Sequence, residues 1–193
     1  MKYLIGIDEA GRGPLAGPLA VGVVCSQEKP LPHLPKKLKD SKQLSAVERE
    51  AWFLKIKAWQ KKGILNYKVA LVSAGIIDRV GIVQAIKYGI YRGIKRLQIF
   101  PPSTSVFLDG GLKAPSVFLN QKTIIRGDEK VPLIALASIA AKVTRDRKMT
   151  RLHFQFPKYG FDIHKGYGTL FHRKAIRLHG PCALHRRTFI RTL

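Results

Sequence analysis

The sequence predicts an α/β protein, because short apolar strands alternate with longer helical segments. The first observation is a short run with β-branched residues, residues 3–7, that is bounded by glycine and proline. The second is a helical stretch that starts with the capping-box pair Ser45 and Glu48 and ends before Gly63. The third is a length of 193 residues with 46% hydrophobic residues, which predicts a single domain over 1–193.

The first half of the chain is expected to supply three strands and two helices. Residues 19–25 form a second strand that pairs antiparallel with the first, and residues 64–71 form a third. A helix over 46–62 and a longer one over about 75–97 are predicted from apolar spacing. The expected apolar face of the first helix consists of Val47, Trp52, Phe53, Ile56 and Trp59.

The second half repeats the pattern of the first strand. Residues 105–109 and 123–128 each read as an apolar strand that ends in an acid beside glycine. A helix is expected from Pro132 to about Arg151. The remainder, about 153–193, is aromatic, basic and rich in glycine, and is predicted to be a helical C-terminal extension.

The charge of the chain points to a polyanionic partner. Its 35 Lys and Arg residues against 12 Asp and Glu residues give a net charge of +23, and nucleic acid is the first expectation. A membrane surface is the rival partner, but the sequence shows no strongly amphipathic helix with a purely basic face, which binding to a membrane surface would favour. The chain shows no apolar stretch of transmembrane length, no signal-peptide pattern and no disulfide or zinc spacing, so a cytoplasmic protein is expected.

The acids at the strand ends are the candidate catalytic residues. Asp8 and Glu9 follow the first strand, and Asp109 and Asp128 follow two later ones. Converging carboxylates suit Mg²⁺ or Mn²⁺ rather than zinc, and two such ions can hydrolyse a phosphodiester. Because neighbouring side chains of a strand point to opposite faces, the strand is expected to bend at Glu9, or one acid to contribute differently, for example through its carbonyl.

Six motifs occur in a distinctive order: residues 6–14 (GIDEAGRGP), 40–42 (DSK), 109–110 (DG), 127–128 (GD), 137–146 (ASIAAKVTRD) and 164–169 (HKGYGT). Together they resemble bacterial type 2 ribonuclease H, also called ribonuclease HII. The resemblance runs from Lys2 to about Phe189. It implies a ribonuclease H-like fold: a five-stranded mixed sheet flanked by helices, with a C-terminal helical extension.

The resemblance also implies an activity. A member would use Mg²⁺ or Mn²⁺ to cleave the RNA strand of RNA–DNA hybrids, and would nick 5′ of single ribonucleotides in duplex DNA. The products would carry 3′-hydroxyl and 5′-phosphate ends. The implied partners are therefore RNA–DNA hybrids and DNA duplexes that contain ribonucleotides, bound by a monomer with no membrane involved. No feature of the sequence supports recruitment by a replication clamp.

Matching the motifs residue by residue assigns roles to specific positions. The family's four metal-site acids are matched by Asp8, Glu9, Asp109 and Asp128. The family's loop that reads the ribose 2′-hydroxyl, mainly through backbone groups, is matched by Gly11, Arg12 and Gly13. Tyr167 matches a tyrosine that packs on the sugar at the RNA–DNA junction, while phosphate contacts are expected from Lys42, Ser138 and Lys142. Asp146, which is flanked by two arginines, is expected to form a structural ion pair.

Two departures and three alternatives accompany this interpretation. Gly81 stands where the family usually has asparagine and Leu136 where it usually has alanine, and both are expected to bear on packing rather than on metal binding. Type 3 ribonucleases H usually carry an N-terminal domain and lack the Gly-Arg-Gly loop, so a chain that begins at the catalytic strand favours type 2. A junction resolvase would be a dimer indifferent to 2′-hydroxyls, and a basic RNA-binding protein would not need four acids at strand ends.

Overall fold

A computed structural model describes residues 2–27, 43–99 and 101–191. Five strands form one mixed sheet in the order β3-β2-β1-β4-β5, which confirms the expected sheet. The strands are β1 (Tyr3–Ala10), β2 (Leu19–Gln27), β3 (Leu65–Val72), β4 (Thr104–Asp109) and β5 (Gln121–Ile124). β1 pairs antiparallel with β2 and parallel with β4, so β1 lies at the centre of the sheet. The predicted phosphate contact Lys42 lies outside the described residues.

Six α-helical segments accompany the sheet in these described parts of the chain. They are α1 (Ala46–Lys61), α2 (Ala74–Lys95), α3 (Gly127–Lys130), α4 (Pro132–Gln155), α5 (Phe161–His164) and α6 (Leu170–His179). The expected capping box begins α1: the Glu48 N–H donates to Ser45 Oγ at 3.2 Å, and the Ser45 N–H donates to Glu48 Oε2 at 2.7 Å. No helix in the described residues has the length and apolar character that crossing a membrane requires.

The placement of Val47 on the apolar face of α1 was wrong. Its side chain is 79% exposed, whereas Phe53 and Ile56 are buried. Nine residues at 100° each put Val47 on the side of the helix opposite Ile56. The remaining members of the predicted stripe, Trp52 and Trp59, pack partly buried against the same core.

Two helices cover the two faces of the sheet. α2 packs against one face, where it shares a core with Ile5, Ile7 and Val23 of the sheet. α4 packs against the other face, where its Leu136 shares a core with Val24 of β2. α4 approaches the sheet very closely because glycine occupies β1 and β2 beneath it. This close packing brings the middle of α4 to the ends of the central strands.

Gly81 affects the backbone rather than the packing of α2. Its φ of +77° interrupts the helix, and a Cβ built on it would meet no atom within 4 Å. Glycine adopts this φ without steric cost. The departure at Gly81 thus changes the course of the α2 backbone, and Leu136 is a fully buried core residue, as expected.

The C-terminal region has its own buried cluster and returns to the loop after β1. Tyr159, Phe161 and Ile176 pack there with Ala16. The loop and the C-terminal segment are joined by backbone hydrogen bonds, from the Gly17 N–H to the Leu184 carbonyl and from the Arg186 N–H to the Leu15 carbonyl, each 2.8 Å long. Distant parts of the sequence therefore build one wall around the end of β1.

Candidate active site

A cleft of about 530 Å³ opens where β1 and β4 end. Of the eleven residues that the sequence predicted for the site, nine line this cleft: Asp8, Glu9, Gly11, Arg12, Gly13, Asp109, Ser138, Lys142 and Tyr167. The two exceptions are Asp128 and the undescribed Lys42. Arg49 also lines the cleft and was not predicted.

The strand ends bring three acids to the cleft. Asp8 and Asp109 directly follow Ile7 and Leu108, the last residues that pair between β1 and β4, so their side chains share one face of the sheet. β1 does not end at Glu9, because its ladder with β2 continues through Ala10. Asp8 and Glu9 therefore line the same cleft from consecutive positions of a paired strand.

Burial and mutual repulsion make Asp8 difficult to ionise. The residue is only 5% exposed, and burial, followed by the neighbouring charge of Glu9, raises the pKa of Asp8 well above its usual 3.8. A hydrogen bond with the Ser138 side chain, and one from the Glu9 N–H at 2.7 Å, partly offset this effect. Asp109 adds further repulsion.

Glu9 is affected in the same way. Burial raises the pKa of its carboxyl, the nearby guanidinium of Arg12 opposes that change, and Asp109 adds repulsion. The Arg12 Nη1 atom lies 3.9 Å from Glu9 Oε1, with the Arg12 side chain 59% exposed. Three carboxylates therefore meet in one cleft, and the charge of Arg12 offsets only part of the rise in the pKa of Glu9.

Asp128 is positioned differently from the other three acids. β5 ends at Ile124, and Asp128 lies buried in the short helix α3 rather than at a strand end, so that part of the prediction was wrong. Its neighbour Gly127 donates its N–H to Asp109 Oδ1 at 2.6 Å. The fourth acid is thus attached to the site through Asp109 without lining the cleft.

The donor chemistry of these acids fits a hard divalent cation. All the candidate ligands are carboxylate oxygens, which Mg²⁺ and Mn²⁺ prefer, and the raised pKa values of Asp8 and Glu9 mark a charge that a cation would neutralise. Within the described ranges, no three His, Cys, Asp or Glu side chains are already gathered around one metal position. The acids are therefore neighbours of suitable chemistry rather than a closed coordination shell.

The Gly11–Gly13 segment presents backbone to the cleft. Gly11 has a φ of +88°, and a Cβ on it would lie 2.0 Å from Arg145 Nε, so only glycine fits there. A Cβ on Gly13 would meet nothing within 4 Å. The loop is thus packed from behind at Gly11 and open in front at Gly13, as close approach of a ligand to its backbone requires.

Tyr167 forms another part of the cleft wall and is not a core residue. Its side chain is 42% exposed, and Lys142 Nζ lies 5.5 Å from the centre of its ring. Its carbonyl oxygen is 2.9 Å from Nδ1 of the buried His172, which fixes the backbone of the segment. An exposed aromatic face beside a lysine is available to pack against a sugar.

Asp146 forms the expected ion pair, and its shortest contact is with Lys142 rather than with a flanking arginine. Lys142 Nζ lies 3.0 Å from Asp146 Oδ2, while the neighbouring Arg145 Nη1 lies 3.8 Å from Oδ1. The other flanking arginine, Arg147, pairs with Glu50. Asp146 therefore holds the lysine that lines the cleft.

Sequence reasoning missed two buried arginines behind the loop. Arg145 and Arg186 are both 0% exposed, and Arg145 Nε donates to the Pro18 carbonyl at 2.8 Å. Burial, together with repulsion from Arg145, lowers the pKa of Arg186 to about 9. No spacing distinguishes Arg186 among the 35 basic residues of the sequence. Arg145 follows Ser138 by seven residues and therefore lies on the same face of the helix, which is the one signal that could have pointed to it.

Comparisons with known proteins agree with this arrangement. The family model described as ribonuclease HII matches residues 5–192. A ribonuclease HII from Burkholderia mallei (strain SAVP1) is 46% identical over 189 residues, which cover 97% of this chain and 83% of that protein.

Solved structures extend the comparison to the fold. The ribonuclease HII of Archaeoglobus fulgidus, solved as a complex with PCNA, is 30% identical with a TM-score of 0.75, and the match covers 95% of this chain and 93% of that one. A Bst-RNase HIII structure in complex with Mn²⁺ has a TM-score of 0.67 at 19% identity, covering 93% of this chain and 63% of that one, and shows the fold alone.

These matches exclude a non-catalytic RNA-binding protein and favour type 2 over type 3. The chain belongs to the ribonuclease HII family and is therefore a ribonuclease H, an endonuclease and hydrolase that acts on RNA–DNA hybrids.

Proposed function

We propose that this ribonuclease H depends on a divalent metal, and that it nicks 5′ of single ribonucleotides in duplex DNA as well as cutting hybrids. The cut would leave 3′-hydroxyl and 5′-phosphate ends. The observation that carries the proposal is the meeting of Asp8, Glu9 and Asp109 in one cleft with the open backbone of Gly13. The three carboxylates suit phosphodiester hydrolysis, and the open backbone at Gly13 suits recognition of a ribose.

Asp8, Glu9 and Asp109 would hold Mg²⁺ or Mn²⁺, with Asp128 completing the set from α3. When bound, two such ions would supply water activation and neutralise charge on the departing 3′-oxygen. Ser138 hydrogen-bonds Asp8 and the Gly127 N–H holds Asp109, so both carboxylates are oriented before substrate arrives. Mn²⁺ is included beside Mg²⁺ because both ions prefer carboxylate oxygens.

The substrate would be read by backbone and bound by charge. We assign the 2′-hydroxyl to the backbone of Gly11, Arg12 and Gly13, since that hydroxyl is what separates RNA from DNA. The ring of Tyr167 would pack on the sugar at the junction.

Phosphates would contact Lys142, Ser138 and Lys42, within a chain whose net charge is +23. Residues of about 153–193 would serve as a substrate-binding extension of a single catalytic domain, because they carry Tyr167. The enzyme would act as a monomer, and a sliding clamp is a proposed partner because the archaeal relative was solved bound to PCNA.

One assay tests the proposal directly. Labelled duplex DNA with a single ribonucleotide is incubated with the enzyme in Mg²⁺, Mn²⁺ or chelator, and the nick is mapped at nucleotide resolution. We expect a cut 5′ of the ribonucleotide only with metal, and none in the same duplex made entirely of DNA. Cutting in chelator, or cutting of the all-DNA duplex, would contradict it.

Matched variants test the acids. Asp109→Asn and Asp128→Asn should abolish cleavage, whereas Glu129→Gln should retain it, because Glu129 is paired with Arg126 at 2.6 Å on α3. The comparison of Asp128→Asn with Glu129→Gln is the sharpest, because the two residues are adjacent in one short helix. Full activity of Asp128→Asn would remove Asp128 from the metal-binding set.

A further inference from the structure

A single buried side chain near the C-terminus grips the loop that lines the cleft. Arg186 donates from Nη2 to the Gly11 carbonyl at 2.7 Å, from Nη1 to the Arg12 carbonyl at 2.9 Å and from Nε to the Gly17 carbonyl at 3.1 Å. The residue is fully buried. A planar guanidinium presents its donors in a fixed fork, so the three carbonyls are held in one arrangement.

Arg186 is itself firmly anchored. Its N–H donates to the Leu15 carbonyl at 2.8 Å, and the ring of Phe189 lies 5.2 Å from its guanidinium carbon. The turn that follows is held by Asp78, whose carboxylate accepts from the Arg187 N–H at 2.8 Å and the Thr188 N–H at 3.0 Å. The turn that follows Arg186 is therefore held by Asp78 in α2, in addition to the contacts that Arg186 makes with the loop.

The carbonyl contacts determine where two N–H groups point. The carbonyl of Gly11 shares a planar peptide with the Arg12 N–H, and the carbonyl of Arg12 shares one with the Gly13 N–H. No cis peptide occurs in the described residues, so each N–H points opposite to its carbonyl. Both N–H groups therefore point away from Arg186. Neither donates a hydrogen bond to another described residue, and Arg12 and Gly13 both line the cleft.

We infer that Arg186 is a positioning residue for ribose recognition: it orients the N–H groups of Arg12 and Gly13 toward the 2′-hydroxyl. The inference rests on the proposed function of the Gly11–Gly13 loop. Arg186 does not contact substrate, since it is fully buried behind the loop. Its contribution is the preorganisation of two donors that would otherwise rotate with a glycine-rich backbone.

The test compares two duplexes that differ by one oxygen atom. Affinity is measured in chelator for a DNA duplex with a single ribonucleotide and for the same duplex made entirely of DNA. Wild-type protein should prefer the first, and Arg186→Lys should lower that preference about tenfold, the equivalent of one or two hydrogen bonds. Affinity for all-DNA duplex should stay within about twofold, because lysine keeps the charge that attracts phosphates.

Arg187→Gln is the matched control. Arg187 is the adjacent, exposed arginine, so its replacement should lower the affinity for both duplexes equally and leave the preference for the ribonucleotide unchanged. If Arg186→Lys unfolds, Asp78→Ala decides the question: it loosens the turn after Arg186 from a partly exposed position, and should reduce the preference in the same direction by a smaller factor.

The outcomes separate this inference from the proposed function. A wild-type enzyme without any preference for the ribonucleotide would overturn the assignment of the loop. A wild-type preference that survives in folded Arg186→Lys, or in Asp78→Ala if the lysine variant unfolds, would overturn the role of Arg186 alone. An equal loss of affinity for both duplexes in Arg186→Lys would also overturn that role, because such a result indicates a general loss of structure.

Discussion

Gly22 of β2 lies directly beneath Ala137 of α4, so that a Cβ on Gly22 would be 2.2 Å from the Ala137 carbonyl oxygen. Gly22 is also the cross-strand partner of Asp8, and Ser138, the residue after Ala137, hydrogen-bonds Asp8. The absence of a side chain on β2 thus lets α4 come close enough to contact the catalytic acid on β1.

Gly22→Ala should therefore damage both stability and catalysis. The new methyl group meets backbone rather than a flexible side chain, so α4 must shift, at a cost of about 1–3 kcal/mol or more. Cleavage should fall by up to about a hundredfold, since small displacements of catalytic groups are costly. Thermal melting and single-turnover cleavage measure the two effects.

Gly75→Ala provides the control for this variant. Gly75 lies in the first turn of α2, and a Cβ on it would meet no atom within 4 Å. Its replacement should be neutral or slightly stabilising, because alanine favours helices. A Gly22→Ala protein as stable and active as Gly75→Ala would show that the close contact does not govern the site.

The sequence predicted the parts of this site that depend on local pattern. Asp8 and Asp109 follow apolar strands, and alternation alone places them at one edge of the sheet. Asp128 was placed at a strand end because its apolar approach resembles a strand, whereas β5 ends at Ile124 and a short helix intervenes. Arg186 could not be predicted, because its contacts with Gly11 span 175 residues and depend on carbonyl directions.

Removing the charge of Asp8 should stabilise the metal-free enzyme while abolishing its activity. The raised pKa of Asp8 means that ionisation costs the folded state free energy as pH rises above the usual 3.8. In chelator at neutral pH, Asp8→Asn should gain about 1 kcal/mol or more, which for this length is roughly 2–4 °C in melting temperature.

Added metal should act in the opposite direction on the difference in melting temperature between wild type and Asp8→Asn. Added Mg²⁺ should raise the melting temperature of wild type more than that of Asp8→Asn, because binding to the folded state stabilises it. Glu129→Gln, which removes an acid outside the cleft, should respond to Mg²⁺ as wild type does. A lower melting temperature for Asp8→Asn in chelator would indicate that its hydrogen bonds outweigh the repulsion.

Stability should fall as pH decreases from 6.5 to about 4, owing to His172 and His185. Their Nε2 atoms are 3.1 Å apart, and burial lowers the pKa of each from 6.5 to about 4. The unfolded chain takes up protons in this window and the folded chain does not, so the free energy of unfolding declines. Each such proton contributes on the order of 1.4 kcal/mol per pH unit.

Denaturant unfolding at a series of pH values measures this slope. The double variant His172→Gln, His185→Gln should be less stable at pH 7, because the buried hydrogen bonds are disturbed, but its stability should depend less on pH between 4 and 6.5. A slope unchanged by both substitutions would assign the acid sensitivity to other groups. Absolute stability alone does not decide the matter, since any core substitution lowers it.

Tyr167 provides the sharpest test of substrate selection. Because Tyr167 is 42% exposed on the cleft wall and the hydrogen bond of its carbonyl with His172 Nδ1 does not involve the side chain, Tyr167→Ala should fold normally. Stacking contacts of this kind contribute about 1–3 kcal/mol, so cutting at a single embedded ribonucleotide should slow by roughly ten- to a hundredfold. Cutting within a long hybrid should slow less, because other ribose positions remain available, and Tyr167→Phe should lose much less on both substrates.

Both variants are compared on both substrates, with melting curves recorded first. A junction-sensing role requires the ratio of the two rates to change in Tyr167→Ala and to be largely restored in Tyr167→Phe, which keeps the ring and loses only the hydroxyl. Lys142 lies 5.5 Å from the ring centre, so a general loss of phosphate binding would slow both substrates alike. Equal losses on the two substrates, or a large fall in melting temperature, would therefore show that Tyr167 supports the cleft wall without sensing the junction.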